Sequence, residues 1–87
     1  MTTQVSVYPN PFTSHLSFEI SVEQNESSIV RMLNNNQKII KMMSWNLKKG
    51  TNKMSFENLE LLPAGNYYID IKNMEGTNLF STRLVKS

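Results

Sequence analysis

The sequence predicts an all-β fold, an immunoglobulin-like antiparallel β-sandwich of about seven short strands. Three observations predict it. Apolar residues alternate with polar ones at a period of two along most of the chain, the signature of half-buried strands. Turn-forming residues interrupt the alternation about every 8–12 positions, as in a sandwich. No stretch sustains a helical periodicity, and there is no internal repeat.

The strands are justified in order. "QVSVY" places Val5 and Val7 on one face. "HLSFEISV" sets Leu16, Phe18, Ile20 and Val22 against His15, Ser17, Glu19 and Ser21. In "SIVRML" two faces compete, Val30 with Met32 or Ile29 with Leu33. After the polar "NNNQ", "KIIKMMSWNL" resumes the apolar pattern, and "MSWNLKKG" has the composition for a single uncapped helical turn. "NKMSFE" alternates through Met54 and Phe56, "NYYIDIK" through Tyr67, Ile69 and Ile71, and "LFSTRLV" through Phe80, Thr82 and Leu84. Between them lie Asn34-Asn35-Asn36, Lys49-Gly50-Thr51-Asn52, Pro63-Ala64-Gly65 and Glu75-Gly76. Asn and Gly accept positive φ and Pro presets a turn. Only "EQNES" and the first few residues read as linker-like.

With 87 residues, 39% of them hydrophobic, the chain forms one domain that buries about 60–65% of its unfolded surface. There is no cysteine, which excludes a disulfide framework and a thiolate metal site. A net charge of +2 from scattered basic residues, with only Lys48-Lys49 adjacent, lacks the basic stripe of a nucleic-acid binder. No apolar run reaches the roughly 20 residues of a membrane-spanning helix, and "MTTQVSVYP" lacks the pattern of a signal peptide. Met1 is therefore read as the start of a piece of a larger protein.

The candidates for chemistry are few. His15 reads as a solvent-facing strand residue rather than a catalytic base. The carboxylates Glu19, Glu23, Glu26, Glu57, Glu60, Asp70 and Glu75 are dispersed. Glu23 and Glu26 flank a polar loop, but without calcium-loop spacing. No phosphate loop or metalloprotease or hydrolase motif occurs. No catalytic residue, cofactor or metal is expected. Met32, Met42, Met43, Met54 and Met74 read as gap-filling core residues, and Trp45 as a core anchor.

One segment stands apart. In "YPNPF", Tyr8 to Phe12, two prolines lie one residue apart. Proline fixes φ, lacks an amide donor and holds the preceding residue extended. The segment is expected at a sheet edge or in a crossing between sheets, extended, with Tyr8 and Phe12 packed at its ends.

Three pieces occur in order: "VYPNPFTSHLSFEI", "LELLPAGNYYIDIKNMEG" and a terminal "STRLVKS". Together they resemble the type A C-terminal sorting domain of the type IX secretion system (Por secretion system) of Bacteroidetes. The resemblance covers residues 5–87. It departs from the family at Asn34-Asn35-Asn36-Gln37, where members often carry a glycine in the hairpin, and Asn is the expected substitute at positive φ.

The resemblance implies a single C-terminal sorting domain over residues 1–87, ordered from about residue 5. Such a domain sits behind a covalently attached N-terminal cargo. The outer-membrane translocon or its shuttle recognises it in the periplasm, and a surface sortase removes it at the cell surface. Arg83, Val85 and Lys86 are expected to form the outer face of a terminal recognition strand. Tyr8, Pro9, Asn10, Pro11, Gly65 and Tyr67 are expected to maintain the fold that displays it. Unprotected sheet edges leave room for a weak homodimer by strand pairing. The alternative is an accessory carbohydrate-binding or adhesive module of an extracellular enzyme, using Trp45, Tyr67 or Tyr68 on one exposed face.

Overall fold

Each run of alternation becomes a strand. The computed structural model describes residues 4–87; residues 1–3, read above as part of the linker-like start, lie outside the described residues. The strands are β1 (Gln4–Tyr8), β2 (Leu16–Val22), β3 (Glu26–Leu33), β4 (Ile39–Leu47), β5 (Gly50–Phe56), β6 (Gly65–Asn73) and β7 (Asn78–Lys86). The helical turn that the composition of "MSWNLKKG" allows does not form, because β4 runs through Leu47 and its backbone pairs with β3.

The strands make two antiparallel sheets, one ordered β1-β2-β5 and the other β4-β3-β6-β7. The result is an all-β sandwich. The chain crosses between the sheets after β2, because β3 pairs with β4 and β6, and again on either side of β5. Between the sheets lie Leu16, Phe18, Val30, Met32, Phe56, Ile69, Ile71 and Leu84, all essentially sealed from water. Of the two faces open to β3, the structure takes Val30 with Met32. Phe18 and Phe56 meet edge to face at 5.0 Å, an arrangement favoured by their quadrupoles. A smaller cluster of Ile20, Val22 and Leu47 closes one end. Ser28 is the one polar residue fully enclosed among the described residues, and its hydroxyl donates to the Trp45 carbonyl at 2.8 Å. That bond removes the penalty of burying the group unpaired.

The methionine expectation holds for Met32 and in part for Met54, but Met42, Met43 and Met74 are exposed. The cause is architectural. Met74 lies in the turn after β6, Met42 lies on the outer face opposite Arg31, and Met43 faces inward opposite Val30 but on β4, an edge strand of the wider sheet. Lys41, on the same strand, places its ammonium 5.6 Å from the centre of the Phe56 ring and caps the rim of the core by a cation–π contact.

The hairpins joining β3 to β4 and β6 to β7 share one device. Asn34 Oδ1 accepts the amides of Asn36 and Lys38, and Asn73 Oδ1 accepts those of Glu75 and Thr77, all at 2.9–3.0 Å. Three residues after each asparagine the backbone turns left-handed, at Gln37 (φ 63°) and Gly76 (φ 87°). The expectation that an asparagine carries positive φ in the first hairpin is thus corrected. Asn34 is occupied as the side-chain acceptor that closes the turn, and the left-handed position falls to Gln37.

Candidate recognition site

The proline segment leaves β1, reaches across to β7 in the other sheet and returns to β2. Both X–Pro bonds, Tyr8–Pro9 and Asn10–Pro11, are cis, and the chain bends at Asn10 and Pro11. It is a crossing, as expected, but not an extended one. Pro9 and Pro11 have no amide to donate, so the segment cannot build a ladder. Its pairing comes from the residues between and after them. Phe12 donates its N–H to the Val85 carbonyl and its own carbonyl accepts the Ser87 N–H, both at 2.9 Å, as a short parallel bridge to Lys86. Asn10 Oδ1 accepts the Val85 N–H at 3.0 Å. A carboxamide here takes the place of a backbone carbonyl, and both edge groups of Val85 are satisfied.

Phe12 anchors this clasp. Its side chain is fully buried and meets the Tyr67 ring edge to face at 5.9 Å. Tyr67, on β6, donates its hydroxyl to the Pro63 carbonyl at 2.6 Å, a bond from a strand back to the turn before it. That is the tyrosine corner of immunoglobulin-like sandwiches. Gly65 opens β6 opposite Lys86 in register at φ 147°, a conformation that suits glycine alone. So "YPNPF", "LPAGNYY" and "LVKS" meet at one place. The sequence reading leaves Phe12 out of the site, although it is the one fully buried aromatic side chain of the clasp.

Two expected placements are corrected. Tyr8 is not packed; it is 47% exposed, because period two sends it outward while Val5 and Val7 face the core. Lys86 is not on the outer face with Arg83 and Val85. It shares the inward parity of Leu84 and is only 7% exposed, with Nζ donating to the Ser87 carbonyl at 3.0 Å. Arg83 and Val85 do point outward, and Val85 is 40% exposed. Because Val85 and Ser87 turn their backbone groups away from β6, alternation turns those of Ser81 and Arg83 the same way. The clasp thus covers the last residues of the β7 edge and leaves the edge around Ser81 and Arg83 free.

Other candidates do not assemble. His15 is half-buried and precedes β2 rather than lying within it. Glu26 Oε1 accepts a bond from Asn73 Nδ2 at 3.2 Å. Trp45 packs half-buried against both core clusters and Tyr67 is buried, while Tyr68 lies on the other face of β6. These rings do not share an exposed face, as a sugar platform requires. The described residues contain no helix long and apolar enough to cross a membrane.

The fold recurs in solved structures of low identity. A GH3 β-glucosidase from Bifidobacterium adolescentis matches 98% of this chain at 12% identity, with a TM-score of 0.53. A β-glucosidase from Kluyveromyces marxianus matches 99% of it at 15% identity, with a TM-score of 0.56. This chain spans only 17% and 14% of those two proteins, and the likeness is one of fold. No curated protein matches the chain significantly. Residues 6–86 match the secretion system C-terminal sorting domain, a family of sorting signals rather than of catalysts. Its span takes in the proline segment, the tyrosine corner and all but the last residue of the clasp, and this chain belongs to that family.

Proposed function

We propose that this domain is the address of a larger exported protein, read by the type IX secretion machinery of a Bacteroidetes cell. In this reading the N-terminally attached cargo travels with it through the periplasm and across the outer membrane. A surface sortase then removes the domain and leaves the cargo at the surface or in the medium. The observation that carries the reading is the clasp. Three motifs separated by most of the chain meet in one place, so a receptor reading that place reads only folded domains. The clasp also lies on β7 and the β1–β2 connection, and its form is independent of the cargo. Arg83 and Val85 present side chains at this end, and Lys86 secures the strand from inside. A preordered feature of this kind loses little entropy on docking.

The test is a secretion assay. A fluorescent protein with an export signal is fused ahead of residues 1–87 and produced in a Bacteroidetes host with and without a working type IX system. Fluorescence is expected at the surface or in the medium only when the system is intact. Deleting residues 85–87, which removes both backbone bonds to Phe12, is expected to hold the fusion in the periplasm. Periplasmic fluorescence in both hosts from the unaltered domain would refute the role.

A further inference from the structure

The two sheets turn unlike faces to solvent. On the three-stranded sheet the outward positions are polar or charged apart from Tyr8, and the central row is Ser6, Glu19 and Lys53. The outer face of the four-stranded sheet is different. Its central row runs Met42, Arg31, Asp70, Ser81 across the four strands. The next row runs Ile39, Leu33, Tyr68, Arg83, and on the other side Ile29 stands opposite Lys72. Ile39, Leu33 and Tyr68 form an unbroken apolar row, with Met42 and Ile29 near it, on an otherwise polar face that covers no core. An open groove of about 530 Å³ runs along it between Leu33, Tyr68 and Arg83.

The charges on this face do not balance. Arg31 is matched by Asp70 through two bonds of 2.9 and 2.7 Å. That is the only ion pair among the described residues, so Lys72 and Arg83 have no carboxylate partner. Arg83 lines the groove and Lys72 stands on the far side of the Arg31–Asp70 pair, so two unmatched cations share this face with a partly exposed apolar row, and apolar surface of that kind marks an interaction site. A second copy of the domain would set like charge against like charge, which disfavours the contact.

We propose that the outer face of the four-stranded sheet docks an acidic, partly apolar protein surface belonging to the secretion machinery. Carboxylates of the partner meet Lys72 and Arg83 on opposite sides of the Arg31–Asp70 pair, and an apolar side chain next to the Arg83 contact enters the groove beside Tyr68 and Leu33. The proposal rests on the sorting role above and names the chemistry of the surface that reads the domain.

The experiment uses the same fusion. Lys72→Glu with Arg83→Glu reverses the docking face, while Lys48→Glu with Lys53→Glu makes the same change in net charge elsewhere. The first pair is expected to cut export at least tenfold while the purified domain melts within a few degrees of the parent. The second is expected to export as the parent does. Should the first pair unfold the domain, Lys72→Gln with Arg83→Gln is read instead and must cut export at least threefold. Equal export of the two reversed domains would overturn the docking face and leave the sorting role standing. No type IX-dependent export of the unaltered domain would overturn both. Two further results would also overturn a protein partner: purified domain binding vesicles of anionic lipid, or self-associating, through this same pair of cations.

Discussion

Gln37 carries a conformation that its own side chain opposes. An L-residue in the left-handed region costs on the order of 1–2 kcal/mol, and glycine escapes that cost at an entropic penalty of about 0.5–1 kcal/mol. The sister hairpin already uses Gly76 at the equivalent position, with open space around it. Gln37→Gly is therefore expected to stabilise the domain by about 0.5–1 kcal/mol, and Gly76→Gln to destabilise it by about as much. Thermal melts check both, since a change of 1 kcal/mol moves the midpoint by about 4–8 °C in a domain of this size. Asn10 offers a second residue-scale test. Its carboxamide is the acceptor of the Val85 amide, and the bond is near solvent, so its loss costs about 0.5–1 kcal/mol. Asn10→Ala is expected to remove the protection of the Val85 amide from hydrogen exchange, while exchange at Ile69 and Ile71 rises only with the loss of global stability, by about two- to fivefold.

Two adjacent strands of similar apolar content have opposite energetic weight. β3 is central and buries Val30 and Met32, whereas β4 lies at the sheet edge and turns Met42 outward, at 60% exposure. Met32→Ala is expected to cost about 2–5 kcal/mol through a cavity, and Met42→Ser less than about 0.5 kcal/mol. Denaturant titrations of the two variants measure the contrast. β3 also carries Arg31, whose hydrogen bonds to the Asp70 carboxylate, with the opposite charge adding to them against partial burial, raise its pKa above the ordinary guanidinium value. The sign follows from linkage. A cation whose folded pKa is raised adds stability below its unfolded value and loses that stability only as pH rises through the folded value. That window lies at extreme alkalinity. The difference in melting temperature between the parent and Arg31→Leu is therefore expected to stay flat from about pH 6 to pH 9. A slope in that range would mean that another titrating group governs the pair.

At the scale of the whole molecule, what the sequence discloses and what it hides divide by the range of the interaction. Strand positions and the inward sets Leu16-Phe18-Ile20-Val22 and Tyr67-Ile69-Ile71 follow from period two, which is local, and all these residues are buried. The position of β4 at an edge, the pairing of Asn10 with Val85 and the reach of Phe12 under Tyr67 depend on which strands become neighbours. No local pattern carries that information. Lys86 shows the division within one strand. Alternation from Leu84 places it inward, and only its apparent fitness for an exposed terminus suggests otherwise. The long-range contacts also decide how the domain fails. For 87 residues the whole stability is roughly 4–13 kcal/mol, while truncating a buried phenylalanine costs about 3–5 kcal/mol. Phe12 is such a residue, and it lies in the connection that joins the β1–β2 end of the chain to β7. Phe12→Ala is thus expected to lower the melting midpoint by at least about 12 °C, and at growth temperature to leave a large unfolded fraction. Asn10→Ala removes one polar bond of the same clasp and is expected to melt within about 8 °C of the parent. If export requires a folded clasp, Phe12→Ala cargo accumulates and is degraded in the periplasm, while Asn10→Ala cargo is still exported at reduced yield. A Phe12→Ala domain that melts like the parent would mean that the two sheets hold together without the proline segment, and the clasp would then be a surface feature rather than part of the core.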